Sequence, residues 1–172
     1  TNNLTRKVHD ADVDAFRYLR TRADENMIRK IELSQMPMST LDTFSIAIAN
    51  RKVFRNVAFS YIGHRKNPDE AVYLVDLFIK LSGITWAVVA CRTEEKMVVL
   101  FRTDGLRRHA GKVAEEVFLA YGTAGGHRTM ARAELKLDRV REELGEHNDV
   151  ILERWLIEKL SEKLKPLKRA LL

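Results

Sequence analysis

Cysteine is almost absent from this chain. Cys91 is the only one, so no disulfide framework can hold the fold, and its place in an apolar run suggests a buried, inert thiol rather than a nucleophile. Proline is scarce, with three in 172 residues, and there are no internal repeats or low-complexity stretches. No apolar run approaches bilayer-spanning length. The first residues, Thr1-Asn2-Asn3-Leu4, carry no basic region followed by an apolar stretch, so a cytoplasmic location and no membrane partner are expected. Familiar catalytic signatures are missing too. There is no Gly-x-Ser-x-Gly, no phosphate loop ending in Gly-Lys-Ser/Thr, and no run of Asp and His suited to a two-metal site.

What is present fits an ordinary domain. The hydrophobic share is 45% and the charged share 31%, which gives one sizeable core under a well-solvated surface. The net charge of +6 is a mild basic surplus that favours phosphate-bearing partners electrostatically and equally suits a basic surface without one.

Along the chain, residues 10–33 read as helix, with Asp10 as an N-cap and Asp24 as a restart point. Met36-Pro37 breaks the pattern, and Ser39-Thr40 can cap a further helix to about Arg51. The period then changes. Val53 to Ile62 is rich in β-formers, and Asn67-Pro68-Asp69 opens a helix whose stripe is Ala71, Leu74, Val75, Phe78 and Leu81, with Gly83 placed to cap it. Ile84 to Cys91 is apolar on both faces, as in a central strand, and Met97 to Thr103 reads as its hairpin partner. Ala110, Val113, Ala114, Val117, Phe118 and Tyr121 form the strongest helical pattern. A glycine-rich loop follows, Gly122-Thr123-Ala124-Gly125-Gly126-His127-Arg128. Residues 130–137 alternate as a half-buried strand at or near a sheet edge, and Val150 to Leu164 forms a last helix ended by Pro166. The expected fold is α/β, a mixed sheet flanked by helices. Residues 1–52 form a helical leader, and residues 53–172 form the sheet domain.

The glycine loop is the first candidate site. Its glycines allow positive φ and close ligand approach, and successive amides in such a turn can converge on an anion. His127 and Arg128 would add donors. A plain helix cap and turn fits the same spacing. Arg102 ends an otherwise apolar strand, where ligands gather in α/β folds, or is simply a solvated end. Arg107-Arg108-His109 and His64-Arg65-Lys66 are basic clusters that read more readily as solvated loops than as nucleic-acid contacts.

Taken in order, Phe101-Arg102-Thr103, the helix to Tyr121 and the Gly125-Gly126-His127 motif resemble the DHH-associated domain of the DHH-family phosphoesterases. That family includes RecJ-like exonucleases, oligoribonucleases, nucleoside-bisphosphate phosphatases, and pyro- or exopolyphosphatases. Thr1-Asn2-Asn3-Leu4-Thr5-Arg6 resembles the segment just after the last metal-ligand Asp of the family's catalytic domain, so the chain is expected to be a piece of a longer protein. There are two departures. Thr123-Ala124 interrupts the glycines, and Arg132 stands where glycine is usual.

The resemblance implies that Gly125, Gly126 and His127 hold a substrate phosphate or terminal nucleotide, with Arg102 on the same ligand. Arg128 and Arg132 join this set on charge and position. It also implies a metal-dependent phosphoesterase using Mn2+ or Mg2+, with the metal ligands outside this chain and the catalytic domain as its partner in cis. No cofactor is expected in the chain itself. Short single-stranded nucleic acid, nucleotide and polyphosphate stay open as substrates. A stand-alone nucleic-acid-binding or regulatory module and a homodimerising structural domain are the alternatives.

Overall fold

The structure is a computed structural model. It describes residues 8–32, 37–106, 108–145 and 148–164, and the chain divides into two compact units between Pro37 and Met38. The Thr1–Arg6 leader, Met36, Arg107 and Pro166 lie outside the described residues.

The first unit holds α1 (Asp10–Arg20) and α2 (Glu25–Glu32). The cap of α1 is His9 rather than Asp10, and Asp12 reaches back to accept from the His9 amide at 2.9 Å. Asp24 does restart the helix. Its Oδ1 accepts from the amides of Asn26 and Met27 at 2.9 and 3.1 Å.

The second unit is built on a six-stranded mixed sheet of order β1-β2-β3-β4-β6-β5. Its elements are α3 (Ser39–Ala49), β1 (Lys52–Phe54), β2 (Val57–His64), α4 (Glu70–Phe78), β3 (Trp86–Arg92), β4 (Lys96–Thr103), α5 (Ala110–Phe118), β5 (Gly122–Gly126), β6 (Met130–Lys136), α6 (Leu137–Leu144) and α7 (Asp149–Lys163). β2 and β3 are parallel, joined by α4, and the other pairs are antiparallel. β3 is the doubly covered strand that its sequence suggests. Trp86, Val88 and Ala90 join the core under α5 and α7, while Ala87, Val89 and Cys91 join the core under α3 and α4.

Several elements differ from expectation. The strand over 53–62 is two strands of a hairpin, turned at Arg55-Asn56 with Arg55 at φ 54°. α3 belongs to the sheet unit and not to a leader ending at residue 52. Thr40, Thr43 and Ala47 are its buried face, and Ser60 Oγ donates to the Ala47 carbonyl at 3.0 Å. Small, partly polar residues give that face no apolar stripe to read. α4 ends at Phe78, so Gly83 caps a later turn. α6 has only Leu137 and Val140 as buried residues among its charges and leaves no clear periodic signal.

The largest difference is at the glycines. The expected loop is strand β5, the sheet edge, and β6 lies one place inside it. The amides of Ala110 and Gly111 at the start of α5 each donate at 3.0 Å to the carbonyls of Arg128 and His127. A Cβ at Gly111 would sit 2.5 Å from the Gly126 carbonyl oxygen, and one at Gly126, where φ is +148°, would sit 2.4 Å from that of Met130. These glycines serve helix-to-strand and strand-to-strand proximity.

The core beneath α5 includes Phe101, fully buried and tilted against Phe118 with ring centroids 6.2 Å apart. Phe101→Ala is expected to lower unfolding free energy by about 3–5 kcal/mol in urea denaturation. Gly111→Ala, which removes no contact, should also destabilise the chain and weaken amide-exchange protection in the β5–β6 hairpin. A Gly111→Ala protein as stable as the parent would show that α5 is free to move off the hairpin.

Candidate functional site

β4 alternates, and its Val98, Leu100 and Arg102 face the α4 side of the sheet. The register places Glu134, Arg132 and Met130 of β6 opposite them, and Thr123 and Gly125 of β5 beyond Glu134 and Arg132. α4 covers β3 and β4, and the sheet face beyond it forms an open groove of about 510 Å3. Arg102, Gly125, Gly126, His127 and Arg132 all line this groove, with Val72, Leu100 and Met130 as its apolar side chains. Residues scattered over the sequence from 102 to 132 are thus gathered at one place.

Arg128 is not among them. Its Nε donates to the Gly105 carbonyl and its Nη2 to that of Leu106 at 3.3 Å, which fastens the turn after β4. The glycines are not a free loop: β5 is the sheet edge, and its ladder with β6 engages only alternate amides of the glycine strand. His127 is exposed at the hairpin tip. Its amide donates to the Met130 carbonyl at 2.7 Å, and its imidazole has no partner among the described residues.

The groove's arginines are already engaged. Arg102 Nε meets Asp76 Oδ1 at 2.6 Å, and its Nη1 donates to the Phe101 carbonyl at 3.1 Å. Arg132 Nη1 meets Asp69 Oδ1 at 2.8 Å, and its Nε and Nη2 both reach Glu134 Oε1 at 2.8 Å. Burial alone would lower the Arg132 pKa, but the bonds to Asp69 and Glu134 more than offset it and the value is raised. Lys96 Nζ, 2.6 Å from Glu134, is the main cause that holds the Glu134 carboxyl below its ordinary value, with Arg132 adding to it against burial.

Asp69 and Asp76 are not candidates in the sequence reading. Their signal is nevertheless present, since Asp69, Val72 and Asp76 recur at i, i+3 and i+7 and so share one flank of α4. A second network also escapes that reading. Asp149 at the start of α7 accepts from Tyr61 Oη at 2.8 Å and from Arg92 Nε at 2.7 Å. Burial, then the Asp149 hydrogen bond, pushes the Tyr61 phenol far up. Of the basic clusters, His109 Nδ1 caps α5 by accepting from the Lys112 amide at 3.3 Å, and Arg108 donates to the Lys163 carbonyl at 2.5 Å. Cys91 is fully buried, and burial pushes its thiol up to about 12, consistent with an inert residue.

No protein-family model matches this chain, and no curated protein does. Among solved structures, it is similar over 94% of its length to an exopolyphosphatase-related protein from Bacteroides fragilis, at 17% identity and a TM-score of 0.64. The likeness is one of fold. The chain spans 46% of that protein, about half its length. It is also similar over 73% of its length to a DHH domain from a member of a ribosomal-protein family, at 14% identity, TM-score 0.46 and 30% of that chain. A pGpG-specific phosphodiesterase from Vibrio cholerae matches over 80% of this chain and 50% of its own, at 15% identity and TM-score 0.39. These two likenesses are too slight to carry weight. At the level of fold, the first agrees with the DHH-family resemblance in the sequence. No helix among the described residues is long and apolar enough to cross a membrane.

Glu134 gives the site a pH signature. Its folded pKa is depressed, so its contribution to stability is complete above the unfolded glutamate value of about 4.3 and is lost as pH falls through the folded one. Glu134→Gln should therefore shrink the drop in melting temperature between pH 7 and pH 3. An undiminished drop would show that the Lys96–Glu134–Arg132 chain contributes nothing to acid sensitivity.

Proposed function

We propose that this chain is the substrate-gripping part of a metal-dependent DHH-family phosphoesterase, and that its groove holds the phosphate end of the substrate. The observation that carries this reading is the convergence of Arg102, Arg132 and His127 on one open groove at the glycine strand. The guanidinium groups offer forked donors to phosphate oxygens, and the His127 ring, free at the hairpin tip, offers another. The fold likeness to an exopolyphosphatase-related protein about twice as long supports a parent with a second part. Short nucleic acids, nucleotides and polyphosphate are the substrate classes of this proposal.

Mn2+ or Mg2+ in the parent would supply an activated water for attack on phosphorus. The described residues do not fit that role, because no three His, Cys, Asp or Glu side chains among them are grouped to hold a metal ion. The work assigned to this chain is binding and orientation, with closure of the catalytic part over the groove excluding water. α1 and α2 would then belong to the tail of the catalytic domain and its linker, and the parent would be cytoplasmic.

The isolated chain should bind the 5′-phosphorylated dinucleotide pApA and leave it intact with Mn2+ present. Arg102→Ala and His127→Ala should each weaken binding by about tenfold, or about 1.4 kcal/mol, in calorimetric titration. Arg128→Ala should lower the melting temperature and leave affinity within about twofold, because its side chain holds a turn outside the groove. Affinity unchanged by Arg102→Ala and His127→Ala would sink the groove assignment, and Mn2+-dependent cleavage of pApA by the chain alone would sink its binding-only role.

A further inference from the structure

Two carboxylates stand where a phosphate would have to bind. Asp76 holds Arg102 at 2.6 Å and Asp69 holds Arg132 at 2.8 Å, both from the same flank of α4. The two partners of each pair differ in their contact with water. The arginine side chains are 18% and 37% exposed, whereas Asp76 and Asp69 are 46% and 68% exposed. The carboxylates are the wetter partners, so either can swing back into solvent provided another anion takes its place on the arginine. The guanidinium groups cannot follow so easily, because Arg102 is also tied to the Phe101 carbonyl and Arg132 to Glu134.

From this arrangement we infer that Asp69 and Asp76 are resident counter-ions, displaced by an incoming phosphate, and that they select against compact polyanions. The inference rests on the groove being a phosphate site. Its core is a charge balance. Arg102, Arg132 and Lys96 are matched by Asp69, Asp76 and Glu134, so these six charges sum to zero. A ligand with one phosphate needs to displace a single carboxylate and can lay an apolar body on Val72, Leu100 and the exposed Met130. A compact polyphosphate must displace both carboxylates, gains nothing from the apolar surface, and remains near two aspartates and Glu134. The favoured ligand is therefore the phosphate end of a nucleotide or short oligonucleotide rather than inorganic polyphosphate.

Calorimetric titration of the chain with 5′-AMP and with inorganic tripolyphosphate tests this, in the parent, in Asp76→Asn and in Asp69→Asn/Asp76→Asn. The parent should bind AMP more tightly than tripolyphosphate. Each Asp→Asn change should raise tripolyphosphate affinity by about fivefold, with a smaller gain for AMP, so that the preference narrows. Asp→Asn keeps shape at exposed positions, and Asp76→Asn alone decides the matter if the double variant does not fold. Affinity for both probes that falls or stays level in Asp76→Asn would overturn the inference, because the carboxylate would then be orienting Arg102. A parent that prefers tripolyphosphate would overturn it as well. Those failures differ from failure of the phosphate-site reading, in which neither probe binds the parent or the variants, or in which Arg102→Ala binds AMP as the parent does.

Discussion

The fold depends on how closely α5 can lie against the glycine hairpin. The first two amides of the helix are satisfied by the carbonyls of Arg128 and His127, and the contact leaves no room for a Cβ at Gly111, while Gly126 lies equally close to β6. Amides that would otherwise be orphans at a helix start thereby hold the hairpin. With the helix so placed, Val113, Ala114 and Phe118 reach the sheet, and Phe118 meets both Phe101 and Trp155 of α7. The same contact sets where His127 stands and finishes the edge of the sheet. A local steric allowance at two glycines thus links core packing to the position of a candidate ligand group.

The opposite face is governed by charge. α4 ends its coverage at β4, and its wet flank places Asp69 and Asp76 over the open strands. The arginines that look from sequence like free phosphate hooks are neutralised at rest. On the proposed reading, such a groove would bind by exchange of one anion for another, and its affinity would depend on what the ligand offers beyond charge. The apolar surface from Val72 to Met130 is what a nucleoside could use and an inorganic chain could not.

Much of this is legible in the sequence for definite reasons. Strong periodicity exposes α5 and α7, and the two apolar faces of β3 mark a central strand. The residues Arg102, Gly125, Gly126, His127 and Arg132 stand out by type and order, and they do share a groove. Weak periodicity hides α6 and puts α3 in the wrong unit. Glycines in series read as a loop because they carry no side chain to alternate, although the backbone forms a ladder with β6.

By itself, then, the amino-acid sequence determined the strongly periodic helices and strands, where glycines gather, and which cations stand near them. Tertiary structure decided what those groups touch. Arg128 was spent on a turn, and Arg102 and Arg132 were paired with carboxylates 26 and 63 residues away. The physical reason is that periodicity is a property of neighbours in the chain, whereas an ion pair depends on where α4 comes to rest on the sheet. That position is set by the burial of Leu74, Val75 and Phe78, and the aspartates on its flank are carried along with it.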